Sequence, residues 1–204
     1  LTLSFALLIV ALQLVGVLGL LSFLGITVGC IFVPLVAAAL GYRFASRDAE
    51  QVPAPAVPGW ALLVAVGVAS WTVAEWSFPT QLALDQGMFG GDTTWYHMPA
   101  SARFIQDGSI IPLHFTDAFR LVVWYYPQSS ELMHGALIGL MDSDWLSPLF
   151  NMLCLGIALL GCWCVGRPYG VGPATLVGGA VLLSAGVMID TQPGEGRNDI
   201  MTFA

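Results

Sequence analysis

The chain has 204 residues, of which 57% are hydrophobic and only 9% charged, and its mean hydropathy is +0.80. A soluble domain carries about 25% charged and roughly 45–50% apolar residues, so this is the composition of a membrane protein. Six arginines, no lysine and thirteen acids leave a net charge of −7, which excludes the basic patch that nucleic acid requires and simple adhesion to an anionic lipid surface.

A helix needs about 20 apolar residues to cross a bilayer, and residues 1–42 contain enough for two passes. GVLGLLSFLG, residues 16–25, places three glycines and a serine between them. A hairpin is expected, with spans near 2–19 and 24–42; a single long tilted helix is the alternative. The first apolar run has no basic residue ahead of it and no clear cleavage site, so it reads as a span and not as a signal peptide. Residues 43–59 form a loop with three prolines, Arg43 and Arg47. WALLVAVGVASWTVAEWSF, residues 60–78, is a third span ending in aromatic anchors.

Residues 79–142 make a long, mostly polar excursion. Within it, Trp95, Met98, Ala102 and Ile105 recur at helical spacing over 93–106. Asp92 precedes this stripe at a natural N-cap. The segment is too short and polar to span, so it is expected to lie in the interface with its apolar stripe toward lipid. A second interfacial helix is expected from Glu131 to about Met141, after the punctuation of Pro127 and two serines. Residues 144–166 and 173–190 read as a fourth and a fifth span, separated by the turn RPYGVG. TQPGEGRND, residues 191–199, is a short loop, and NDIMTFA opens another apolar helix, so the chain is expected to be part of a longer protein.

Arg43, Arg47 and Arg167 fall on one side of this arrangement, which the positive-inside rule makes cytoplasmic. The excursion and the 191–199 loop then share the outer face. Arg197, in a short outer loop, violates the rule and is expected to be held for a purpose. The expected fold is an all-α polytopic transmembrane bundle, divided into an N-terminal hairpin (1–42), a cytoplasmic loop (43–59) and a core (60–204). Cys30, Cys154, Cys162 and Cys164 sit in apolar runs without metal-ligand spacing and read as small buried hydrophobes.

One ordered set of motifs carries chemistry. A span ends outside; GDTTWYHMP follows, then ARF…GSI on an interfacial helix, then YYPQSSELMHG, and GEGRND appears in the next outer loop. This order resembles the GT-C superfamily of integral membrane glycosyltransferases, closest to bacterial relatives of the family 39 protein O-mannosyltransferases, over roughly residues 60–204. The resemblance implies transfer of a sugar, with inversion, from a polyprenyl-phosphate carrier to an acceptor on the outer membrane face. It also implies a catalytic acid in the first large outer loop, and Asp92 stands at that position. Those enzymes often have two adjacent acids there, whereas Thr93 follows Asp92 here.

The residue chemistry agrees with that implication. A carboxylate can take the acceptor hydroxyl's proton, an effect worth about 10²–10⁴ in rate. The departing lipid phosphate needs a cation, and Arg197 suits it because guanidinium pairs bidentately with phosphate. Arg103 and His97 are further phosphate candidates, and Tyr96 is a candidate to contact substrate. Glu195 and Asp199 bracket Arg197; they can hold it, or join Asp92 around a divalent metal through oxygen ligands. Plainer readings stand beside these: Asp92 as a cap alone, Arg103 snorkelling, the aromatics as bilayer anchors. Glu131 and His134 lie three apart on one helix face with no partner visible in the sequence. Glu75 and Asp190 border the outer ends of the third and fifth spans. A transporter would place polar groups or broken helices at mid-membrane, and a non-catalytic scaffold would make no demand on Asp92.

Overall fold

A computed structural model describes residues 2–44, 55–112 and 128–204. Among these residues all regular structure is helical. The helices are α1 (Thr2–Val17), α2 (Phe23–Phe44), α3 (Gly59–Gln86), α4 (Met98–Asp107), α5 (Ser129–Met141), α6 (Ser147–Gly166), α7 (Gly172–Leu183), α8 (Gly186–Thr191) and α9 (Asp199–Phe203). A single π-turn, Thr93–His97, leads into α4, and a 3₁₀ turn, Arg167–Tyr169, follows α6. Three helices are long and apolar enough to cross a membrane: Phe23–Arg43, Gly59–Gln86 and Ser147–Tyr169. Large apolar side chains stand exposed along them, among them Leu24, Leu35, Leu63, Trp71 and Phe78. In a chain of this composition such faces belong against lipid. Five spans were expected; α1 and α7 are apolar but shorter than a full crossing.

The chain divides into two compact units. The first joins residues 1–47 to 89–147, so the N-terminal hairpin packs with part of the long excursion. The hairpin reading of residues 1–42 holds: the chain turns between Val17 and Phe23, where Leu20 N–H bonds back to Val15 O. The turn is tied to the end of α4, because Leu21 N–H donates to Gly108 O and Ile110 N–H to Gly16 O. Leu21 and Ile26 are consequently buried.

At the centre of this unit lies α5. Residues Ser130 to Ala136 are all buried, because α1, α2 and α4 surround the first two turns. The helix expected at the interface is thus covered by its neighbours over residues 130–136. Its sequence permits this: Gly135 and Gly139, four apart, form a small-residue seam. A Cβ at Gly135 would lie 2.9 Å from Ser101 O of α4, and one at Gly139 would meet Ile26 and Ile105.

The second unit joins residues 48–88 to 148–204. Here α3 continues through Pro79 to Gln86, past the expected end at Phe78. Proline inside a helix costs about 3 kcal/mol. The extra turn is retained because Thr80 and Ala83 are buried against Gly194, whose left-handed backbone (φ +70°) leaves no room for a side chain beside Pro79 O and Ala83. The expected fifth span, 173–190, is broken: Ala185 is extended (φ −62°, ψ 141°) between α7 and α8. Carbonyls near the break meet side chains of α3. Trp76 Nε1 donates to Leu183 O at 3.0 Å, and Thr72 Oγ1 lies 3.2 Å from Ala180 O and 2.9 Å from Ser184 Oγ. Satisfying freed carbonyls in this way is what makes a break tolerable at membrane depth.

Gly135→Ala forces a methyl against the α4 backbone and is expected to destabilise the protein by about 1–3 kcal/mol. Gly156→Ala, with nothing within 4 Å, serves as the control. Thermal unfolding in detergent, comparing both variants with wild type, reads the difference.

Candidate functional site

GDTTWYHMP forms one turn of wide helix. Thr94 N–H bonds to Gly90 O in the α pattern, but Met98 N–H reaches back five residues to Thr93 O. A residue in an α-helix advances by 100°, while a π-turn advances by about 82°. From Asp92 to His97 this changes an angular separation of about 140° into one of about 50°. The turn therefore brings Asp92 toward the azimuth of His97.

Asp92 is not the N-cap that its position in the sequence suggested. Its own backbone is helical (φ −67°, ψ −36°) and its side chain makes no cap bond. The expected lipid-facing stripe is also shifted. Thr93, His97, Ala100, Ser101 and Phe104 form the buried face, whereas Trp95, Met98, Ala102 and Ile105 are half-buried. The helical period of the stripe holds, and its side chains flank the buried face.

His97 Nδ1 lies 2.5 Å from Glu131 Oε1 of α5, with both side chains almost fully buried. The two atoms share one hydrogen bond. The Tyr96 ring lies over His97 with centroids 4.0 Å apart, and Trp95 meets Tyr96 edge-on at 5.4 Å. Both aromatic rings pack on Ala100. Ser101 Oγ donates to His97 O at 2.8 Å. One helical turn beyond Glu131, His134 is fully buried. Burial, and then the neighbouring His97, push its imidazole down to about 3. Among the described residues Glu131 Oε2 and Ser130 Oγ have no hydrogen-bond partner.

The structure thus groups Asp92, Tyr96 and His97 on one turn and adds Glu131 and His134 beneath it. His97, expected at the substrate, is committed through Nδ1 to Glu131. Arg103 is exposed and bonds Gln106 Oε1 on its own helix. Glu131 and His134 were visible as a same-face pair, but only the tertiary structure supplies their partner. Arg47, Arg120 and the aromatic run Trp124, Tyr125 and Tyr126 lie outside the described residues.

In the second unit the GEGRND loop is clamped from within. Asn151 of α6 is fully buried, and its Nδ2 lies 2.7, 3.0 and 3.1 Å from the carbonyl oxygens of Gln192, Glu195 and Arg197. Gln192 completes the clamp: its Nε2 donates to Asp199 Oδ2 at 2.7 Å, and its Oε1 accepts from Ile200 N–H. Glu195 and Arg197 are half-buried on this fixed loop, and Asp199 opens α9. Asn151 carried no signal in the sequence, being a lone polar residue in an apolar span. The oxygen set Asp92, Glu195 and Asp199 is divided between the two units. Among the described residues no group of three or more His, Cys, Asp or Glu side chains is placed to hold a metal.

Glu75 was expected near a helix end, yet α3 extends well beyond it. Its Oε2 is buried with no hydrogen-bond partner among the described residues. Asp190 is exposed near the end of α8. Comparison with protein-family models, with curated proteins and with solved structures finds no match for this chain.

The buried His134 makes stability depend on pH. The unfolded chain binds its proton near 6.5 and the folded one only near 3. Between those values the unfolded state holds more protons, so stability is full above about pH 6.5 and falls as pH drops toward 3, by up to about 1.4 kcal/mol per pH unit. Unfolding measured from pH 7 to pH 4 should show this slope, and His134→Gln should flatten it.

Proposed function

We propose that this chain is an integral membrane glycosyltransferase that uses a polyprenyl-phosphate sugar donor. The observation that carries the reading is the π-turn: it brings Asp92 toward the side of His97, whose imidazole pairs with the buried Glu131, in a chain built for a membrane. π-turns concentrate at functional sites, and polar groups are placed at this expense when they hold reactive geometry. The motif order that resembles GT-C enzymes supports the same assignment.

In this reading Asp92 is the base. The acceptor hydroxyl oxygen forms a bond to the anomeric carbon from the face opposite the phosphate, which inverts that centre. The hydroxyl proton passes to the Asp92 carboxylate, and the bond from the anomeric carbon to the phosphate oxygen breaks. Its electron pair leaves with polyprenyl phosphate. The motif order, and not a placement in the fold, offers Arg197 of GEGRND as the cation for that phosphate. Tyr96 offers a ring face to the sugar. Arg103, on the exposed side of α4, is a candidate for lipid headgroup or donor phosphate. The reaction is assigned to the outer face of a bacterial cytoplasmic membrane, from the placement of Arg43, Arg47 and Arg167. The acceptor is a hydroxyl of a glycan, lipid or protein.

Asp92→Asn is expected to lower release of polyprenyl phosphate by about 10²–10⁴ while the protein stays folded. Arg197→Ala is expected to weaken use of the donor. Both are read in membrane vesicles with polyprenyl-phosphate mannose, glucose and arabinose as donors. Full turnover in Asp92→Asn removes the base assignment, and unchanged donor KM in Arg197→Ala removes the phosphate role.

Transport is the second reading, and one observation favours it. Thr72 and Trp76, which flank Glu75 in α3, bond the break between α7 and α8, and broken helices with acids mark ion pathways. Glu75→Gln is expected to leave donor turnover within about twofold of wild type. Loss of turnover in a folded Glu75→Gln protein would instead favour a coupled ion or proton step.

A further inference from the structure

We propose that Glu131 is a positioning residue: acting through His97, it fixes the turn that presents Asp92 and Tyr96. The inference rests on the glycosyltransferase reading and deepens it, by naming the residue on which the proposed base and sugar platform depend.

The physical chain has three links. The first is the pair itself. Glu131 and His97 lie 34 residues apart in sequence, and both are 2–3% exposed. Burying a carboxylate and an imidazole is costly, and replacing such a pair by apolar groups is often neutral or stabilising. Fold stability alone gives little reason to keep it. Geometric specification is the better-founded role, because the pair fixes one ring nitrogen and thereby the ring's orientation.

The second link runs from His97 along its own turn. The Tyr96 ring lies on the imidazole, Trp95 abuts Tyr96, and Ala100 floors both. Moving the imidazole therefore moves the aromatic corner. The backbone is involved as well, because His97 ends the π-turn and Asp92 precedes it. An α-helical turn is the ordinary alternative for this stretch, and relaxing to it would rotate Asp92 by about 90° relative to His97.

The third link is the rigidity of the anchor. Glu131 sits in the buried stretch of α5, and Gly135 holds that helix at backbone contact with α4. The titratable group that faces the pair from α5 is His134, which burial keeps neutral. From α4, Arg103 and Asp107 are both exposed. The turn is thus held from a fixed point by one buried side-chain contact.

The test compares wild type, Glu131→Ala and Glu131→Gln in membrane vesicles. Release of polyprenyl phosphate gives kcat and KM, and amide hydrogen exchange follows the Met98 N–H that closes the π-turn. Positioning predicts that Glu131→Ala lowers kcat by about ten- to a hundredfold with donor KM within about twofold. It also predicts faster exchange confined to residues 93–98. Glu131→Gln, which keeps an acceptor for the imidazole, should recover most of both. Wild-type kcat in Glu131→Ala would overturn the inference. So would loss of protection across all of α4 and α5 in both variants, which would make the pair merely structural. If wild-type protein releases no polyprenyl phosphate from any donor, the glycosyltransferase reading fails. Exchange at Met98 then decides alone whether Glu131 governs the turn: unchanged protection in Glu131→Ala refutes it, and local loosening upholds it.

Discussion

A carboxylate and an imidazole facing each other inside an apolar helical packing set the terms for the first unit. Each polar group removed from water must find a partner or destabilise the fold. Glu131 reaches His97 only because α5 runs through the middle of the unit, and α5 can do so only because Gly135 lets α4 approach at backbone distance. The π-turn ends at His97, which faces inward onto Glu131. The burial of Ser130 through Ala136 and the neutral His134 accompany that contact in the same packing.

The second unit solves a related problem with neutral groups. Its irregular backbone, the break at Ser184 and Ala185 and the loop at 192–197, is held by side chains from neighbouring helices. Trp76 and Thr72 serve the break, and Asn151 serves the loop. In both units a few buried polar side chains stabilise non-helical turns that regular helices could not provide. Such turns are where chemistry is placed, since they present side chains and backbone that a continuous span would bury or expose to lipid.

Much of the helical layout was legible because apolar length is a strong signal in a membrane protein. The hairpin, α5 from about Glu131 to Met141, and α6 all stand close to where the sequence put them. What composition conceals is how a helix continues or stops. Pro79 argued for an end to α3, and the packing of Thr80 and Ala83 against Gly194 overrode it. The run 173–190 is apolar throughout, so nothing in its periodicity marks the break; the signal was Ser184 opposite Thr72 and Trp76, a tertiary fact. At the candidate site, Asp92, Tyr96 and His97 were singled out together, but Glu131 was set aside for want of a partner. Its partner lies 34 residues away in sequence, beyond any local pattern. The π-turn was unreadable because nothing in the composition of its five residues, TTWYH, marks it.

Nuclear magnetic resonance of protein carrying ¹⁵N-labelled histidine tests the central contact most directly. The account predicts a far-downfield proton on His97 Nδ1, the mark of a buried charge-assisted hydrogen bond, and its disappearance when Glu131 is replaced by alanine. An ordinary imidazole signal that is indifferent to that replacement would contradict it.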